Sequence, residues 1–249
     1  MRIILSPAKR MKADTDSVEP AGMPRYIEQT ASILSWLREL PQEELKNLWK
    51  CNDKIAGQNF KRISDMDLKC SLTPAVLAYE GIAYQYMAPA VFEEVQYAYL
   101  QEHLRILSAF YGVLKPMDGV TPYRLEMQAK ASVCGYKNLY ELWGSRLYEA
   151  VRDESGVIVN LASREYSKCI EKYLKEKDRF ITIIFCENAE GRLVTKGTYA
   201  KMARGDMVRF MAEEQIQDPR KLRDYNRLGY VFRSALSTDT EYVFERVTI

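Results

Sequence analysis

The chain has 249 residues, 47% of them hydrophobic and 28% charged, which is the balance of an ordinary folded globule and excludes disorder over the whole length. Thirty-six Lys and Arg against 34 Asp and Glu leave a net charge of only +2, so a nucleic-acid role cannot be argued from the global balance and requires a local basic surface. Five widely spaced cysteines without a C-x-x-C, together with a single histidine, argue against a zinc site and point to a reduced, cytoplasmic setting.

No run approaches the roughly 20 apolar residues of a membrane span, and MRIILSPAKR is too short in its apolar part for a signal peptide, so no membrane association is expected. Arg2 to Leu5 reads as a first strand, and the polar SPAKRMK and the Pro/Gly-containing stretch to Pro24 read as a loop. Helical spacing of Ile27, Ala31, Leu34 and Leu37 predicts a helix from Tyr26 to Leu40. A second helix starts at Pro41 and a third near Asp53, read as an N-cap, so residues 41–63 form a helical hairpin. PAVFEEVQYAYLQEHL is helical in period and leads into RILSAF, a strand. NLYELWGSRLYEAV fits one helix face, VIVNLAS a strand covered on both sides, EYSKCIEKYLK a helix, FITIIFC and GRLVTKG strands. YAKMARGDMVRFMAEEQI is a long helix, and GYVFR and EYVFERV are paired strands. The expectation is one α/β (mixed α+β) domain over residues 1–249, with a central mixed sheet and surrounding helices.

Three apolar strands end in serine, at Ser6, Ser108 and Ser163, and in open α/β sheets ligands gather beyond the carboxyl ends of the strands. Each serine suits the N-cap of a following helix equally well. Lys9 follows Ser6 by three residues, close enough to share an anion with it. In PYRLEM, Arg124 and Glu126 point the same way if the segment is extended. Such a pair is either a structural ion pair or a site, with arginine forking onto phosphate or carboxylate and Glu126 acting as acid or base. Lys201, Arg204 and Arg209 lie on the polar side of the long helix, where Gly205 permits close approach of a ligand or a neighbouring backbone. His103 reads as structural, and nothing places a nucleophile beside it.

SPAK, NDKIAGQN, QEHLRILSAFYGVLKPMDGVTPYRLEM, LYELWG, VIVNLASREYSK, YAKMARGDMVRFM and the terminal Phe244-Glu245-Arg246 occur in order, and together they closely resemble the YaaA peroxide-stress family. That resemblance implies a mixed α/β domain with a helix-hairpin-helix element over about residues 41–63 and a basic cleft. It implies non-specific binding of double-stranded DNA, and protection of DNA from peroxide through control of free iron. The hairpin turn WKCNDKIAG holds one glycine, Gly57, so phosphate contacts there fall to Lys50, Asn52 and Lys54, with Arg209 alongside. No iron-ligand cluster is legible, no cofactor is expected, and any effect on iron is indirect. The rival expectation is an enzyme acting on a nucleotide or damaged base, with Glu126 and Arg124 catalytic. Ser6, Lys9, Asn160, Ser163, Tyr166, Lys201 and Arg204 would hold that nucleotide or anion ligand.

Overall fold

The computed structural model describes residues 1–247, so the expected domain end at residues 248–249 lies outside the described residues. The chain opens with β1 (Arg2–Leu5) and the short β2 (Arg10–Met11), followed by helices α1 (Ile27–Glu39), α2 (Gln42–Trp49) and α3 (Asp53–Asp65). Next come β3 (Thr73–Pro74), α4 (Ala75–Ala78), β4 (Tyr79–Glu80), α5 (Ile82–Met87), α6 (Glu94–His103) and β5 (Leu104–Ser108). The middle holds β6 (Gly112–Leu114), β7 (Gly119–Val120), α7 (Leu139–Trp143), α8 (Arg146–Val151), β8 (Val157–Asn160) and α9 (Arg164–Glu171). The last third holds β9 (Arg179–Ala189), β10 (Arg192–Val194), α10 (Gly197–Glu213), β11 (Tyr230–Phe232) and β12 (Glu241–Arg246).

Eight strands form one mixed sheet in the order β11-β12-β9-β8-β1-β5-β6, with β10 hydrogen-bonded to β9. Five of them are mutually parallel, β5-β1-β8-β9-β12, while β6, β10 and β11 run antiparallel to their neighbours. Numbered by appearance, the parallel strands lie in the order 2-1-3-4-5, a doubly wound arrangement whose direction of winding reverses between β1 and β8. Ile3, Ile4 and Leu5 are buried because β1 is central and covered on both faces, which explains its unbroken apolar run. Pro7 ends the strand, since it has no amide to donate to a ladder.

Several expectations are corrected in detail. Asn52, rather than Asp53, is the N-cap of α3, its side chain accepting from the Ile55 amide at 3.0 Å. Asp53 instead pairs with Lys46 across the hairpin turn. NLYELWGSRLYEAV is two short helices, because Gly144 adopts φ +52 and ends α7 before α8 begins. PAVFEEVQYAYLQEHL opens with a 3-10 turn at Pro89–Val91, and α6 starts only at Glu94, behind a capping box of Glu93 and Gln96. His103 is structural, its Nδ1 2.9 Å from the Met1 carbonyl and its ring against Tyr99.

Gly205 settles a packing question. A Cβ there would run into the carbonyl of Ala83, so α10 and α5 approach backbone to backbone. Among the described residues no helix is long and apolar enough to cross a membrane.

Candidate functional site

At the reversal point the loops after β1 and β8 part, and a cavity of about 370 Å³ opens there. Its floor is the end of β1 and the SPAK turn. Its walls are Gly81 to Tyr84 at the start of α5, Tyr123 to Glu126, the start of α9, and α10. Ser6 Oγ accepts from the Ser163 amide at 2.8 Å and donates to Ser163 Oγ at 3.1 Å, which ties the two strand ends together. The Tyr84 hydroxyl donates to the Ser6 carbonyl at 3.0 Å, and a Cβ on Gly81 would press on Ala8, so α5 clamps the SPAK turn closely.

Opposite that turn, the extended segment after Pro122 carries Arg124 and Glu126 into the cavity. Glu126 lies 2.8 Å from Lys9 and 3.6 Å from Arg124. Lys9 reaches in from solvent, its side chain 63% exposed, whereas Arg124 is 11% and Glu126 19% exposed. Arg124 Nη2 donates at 3.3 Å to the Trp49 carbonyl at the end of α2, so the cavity wall is bonded directly to the hairpin. Arg124 Nε is buried without a partner, and so is Arg204 Nε.

Lys201 and Arg204, one helical turn apart, project from α10 toward the same space. Burial pushes the Arg204 guanidinium below its ordinary pKa. Tyr166, on α9, is buried against the cavity, and desolvation holds its hydroxyl well above the usual tyrosine pKa. Glu165 also lines the cavity and accepts from the Gln128 amide at 3.2 Å. Burial pushes its pKa upward, opposed by that amide and assisted by the charge of Glu126.

Eight of the residues singled out from sequence therefore meet in one place: Ser6, Lys9, Arg124, Glu126, Ser163, Tyr166, Lys201 and Arg204. Asn160 does not line the cavity. It is buried one layer below, its side-chain Oδ1 accepting from the Ala162 amide at 2.9 Å, and shapes the turn that delivers Ser163. Ser108 is likewise buried, held 2.6 Å from the Tyr123 hydroxyl, so only two of the three serine-ended strands reach the crevice.

The hairpin residues lie apart from the cavity. Lys50 takes the left-handed conformation that ends α2 and lines a separate depression with Trp36, Asn47 and Lys130. The Asn52 side chain is engaged as a cap, and Lys54 is exposed on the first turn of α3. Arg209 pairs at 2.7 Å with Glu213, which also holds Arg227. Sequence reasoning passed over Glu165, Tyr84 and the rim pair Arg10–Glu80. Glu165 sits in the first turn of a helix, where a carboxylate suits the dipole, and that ordinary explanation hides it.

A model of the family described as "Peroxide stress protein YaaA" matches residues 1–236. A UPF0246 protein of Agathobacter rectalis is 66% identical over 246 residues, covering 99% of each chain. UPF0246 proteins of Lachnoclostridium phytofermentans and Pediococcus pentosaceus are 52% and 50% identical, each over 98% of this chain and 96% and 97% of their own. With the whole length matched at such identity, the chain belongs to the YaaA peroxide stress protein family.

Proposed function

We propose that this peroxide-stress protein works in the cytoplasm by binding double-stranded DNA non-specifically, with the β1/β8 cleft as its main anion site and the α2–α3 hairpin as a second contact. The observation that carries the reading is the convergence of Lys9, Arg124, Lys201 and Arg204 on one cavity in a chain whose net charge is only +2. Charge that is nearly balanced overall and concentrated locally focuses the field where a phosphate would sit. Hairpin cations Lys50 and Lys54 extend that field, and the Arg124–Trp49 bond supports a fixed spacing between the two contacts. Phosphate contacts of this kind position a duplex without reading bases and displace its condensed cations. Displaced cations include free iron, so occupancy of the backbone lowers the peroxide damage that DNA-bound iron causes. Fluorescence anisotropy with a labelled duplex across a salt series tests the reading, since affinity must fall steeply with salt.

A second reading is favoured by the Lys9–Glu126–Arg124 arrangement: an enzyme acting on a nucleotide or damaged base held in the same cleft. Glu126 would take a proton from water attacking the sugar carbon as the glycosidic bond to the base breaks, the base leaving with the bonding pair and taking up a proton from solvent, with Arg124 and Lys9 fixing phosphate. Cleavage of a glycosidic bond by the native chain and not by Glu126→Gln would support it.

A further inference from the structure

The cations around the cavity are not equally satisfied. Arg10 pairs with Glu80 at the rim at 3.7 Å, and Lys9 and Arg124 share Glu126. On α10, by contrast, Lys201 and Arg204 make neither an ion pair nor a side-chain hydrogen bond among the described residues, and Arg204 is half-buried with its Nε shut off from water. Five lining cations face three lining carboxylates, which leaves two positive charges in excess.

We propose that the cleft is a phosphomonoester site, taking a terminal phosphate with two negative charges in preference to the singly charged phosphodiester of a continuous strand. The proposal rests on the anion-binding reading of this cleft and narrows its ligand. Charge matching is the first argument: a monoester carries about −1.5 to −2 at neutral pH, which balances the excess, whereas a diester balances half of it. Burial is the second. Arg204 Nε is buried without a partner and the half-buried guanidinium has no ion pair among the described residues, an unfavourable arrangement that an anion in the cavity would complete. Size is the third, because about 370 Å³ is the small end of ligand pockets and suits a single phosphate-bearing nucleotide unit, free or at the end of a strand. The apolar remainder, with Leu5, Ile82, Leu125 and Leu161, offers a surface for a base or sugar beyond the phosphate.

The same chemistry has two sources, a free mononucleotide and a phosphorylated strand end. Radical cleavage of a DNA sugar leaves ends capped by phosphate, so the second source fits a peroxide-stress protein.

Calorimetric titration of the full chain with thymidine 5′-monophosphate, its methyl phosphodiester and thymidine tests the proposal. The monoester should bind roughly tenfold or more tightly than the diester, as expected for one further charge-assisted contact. Arg204→Gln should lower monoester affinity about tenfold or more. Lys201→Gln, at an exposed side chain that leaves the fold intact, should lower it a few-fold to about tenfold. Short duplexes with 5′-phosphate or 5′-hydroxyl ends, used as competitors, separate the sources. Preference for the phosphorylated end identifies a strand terminus, and competition by the mononucleotide alone identifies a free nucleotide; both support a monoester site. Equal binding of monoester and diester, no binding of the monoester, or unchanged affinity in Lys201→Gln overturns it. Duplex binding that persists without monoester preference sinks this proposal and leaves the DNA reading standing; monoester binding without duplex binding does the reverse.

Discussion

The Ser6 hydroxyl and the Ser163 amide meet at 2.8 Å, joining the ends of β1 and β8 where the sheet reverses its winding. One side chain thus closes the floor of the cavity and satisfies a backbone donor at the start of α9. The strand register ends at Ile4 and Asn160, the Leu161 amide adds one more backbone bond to the Ile4 carbonyl at 3.0 Å, and the serine pair carries the contact further past the strand ends.

Ser6→Ala removes the acceptor and leaves the Ser163 amide without its partner. Stability should fall by about 1–2 kcal/mol, and the cleft's anion affinity should fall with it. Urea unfolding checks the first expectation; an unchanged midpoint contradicts the structural role given to Ser6.

Glu126→Gln takes the shared carboxylate from Lys9 and Arg124. Because Arg124 is nearly enclosed, the loss should destabilise by about 1–3 kcal/mol, less than for a fully dry pair since Lys9 is open to water. The cleft gains one positive charge, so phosphate should bind a few-fold more tightly. Weaker phosphate binding in a folded variant would show that Glu126 orients the ligand's partners rather than merely offsetting their charge.

Two glycines on helices should respond oppositely to alanine. At Gly205 a methyl meets the Ala83 carbonyl, so Gly205→Ala should cost about 3 kcal/mol and push α5 off the SPAK turn. At Gly57 the nearest atom is 4.0 Å away on a flexible glutamine, so Gly57→Ala should stabilise by about 0.5–1 kcal/mol. Thermal melts of the two variants distinguish a packing glycine from a tolerated one.

Asp118 provides a pH test. Burial pushes its carboxyl up to about 6, against the opposing pull of the Lys115 amide and the cations of Lys115 and Arg105. A pKa raised on folding means that protonation favours the native state: the contribution is complete below the ordinary value of 3.8 and is lost as pH rises through about 6. Asp118→Asn keeps an oxygen for the Lys115 amide and should gain stability relative to the native chain by about 2–3 kcal/mol between pH 4 and pH 7. Denaturation series at both pH values check it, and a difference that is flat with pH rules out the assignment.

Much of this site was legible in sequence because turn chemistry marks strand ends. Apolar runs stopping at Ser6 and Ser163 give the two strands, and Lys201 and Arg204 sit one turn apart on an evident helix. Their meeting was not legible, since it depends on strand order: β1 lies beside β8 although some 150 residues separate them. Ser108 and Asn160 look alike in sequence to the serines and polar residues that do reach the cavity. What holds them away from it is the Tyr123 hydroxyl bonded to Ser108 and the turn after β8 that engages the Asn160 side chain. The break at Gly144 escaped a reading by periodicity because Leu139, Leu142, Trp143 and Leu147 keep helical spacing across a left-handed residue.

The measurement that bears most directly on the central claim is duplex affinity of the native chain and of Lys201→Gln/Arg204→Gln, by anisotropy at low and at physiological salt. Affinity of the native chain should fall steeply with salt, and the double variant should bind at least about tenfold more weakly with a shallower salt slope. Salt-independent binding, or a folded double variant that binds as the native chain does, would contradict the assignment of the β1/β8 cleft as the site that holds DNA phosphate.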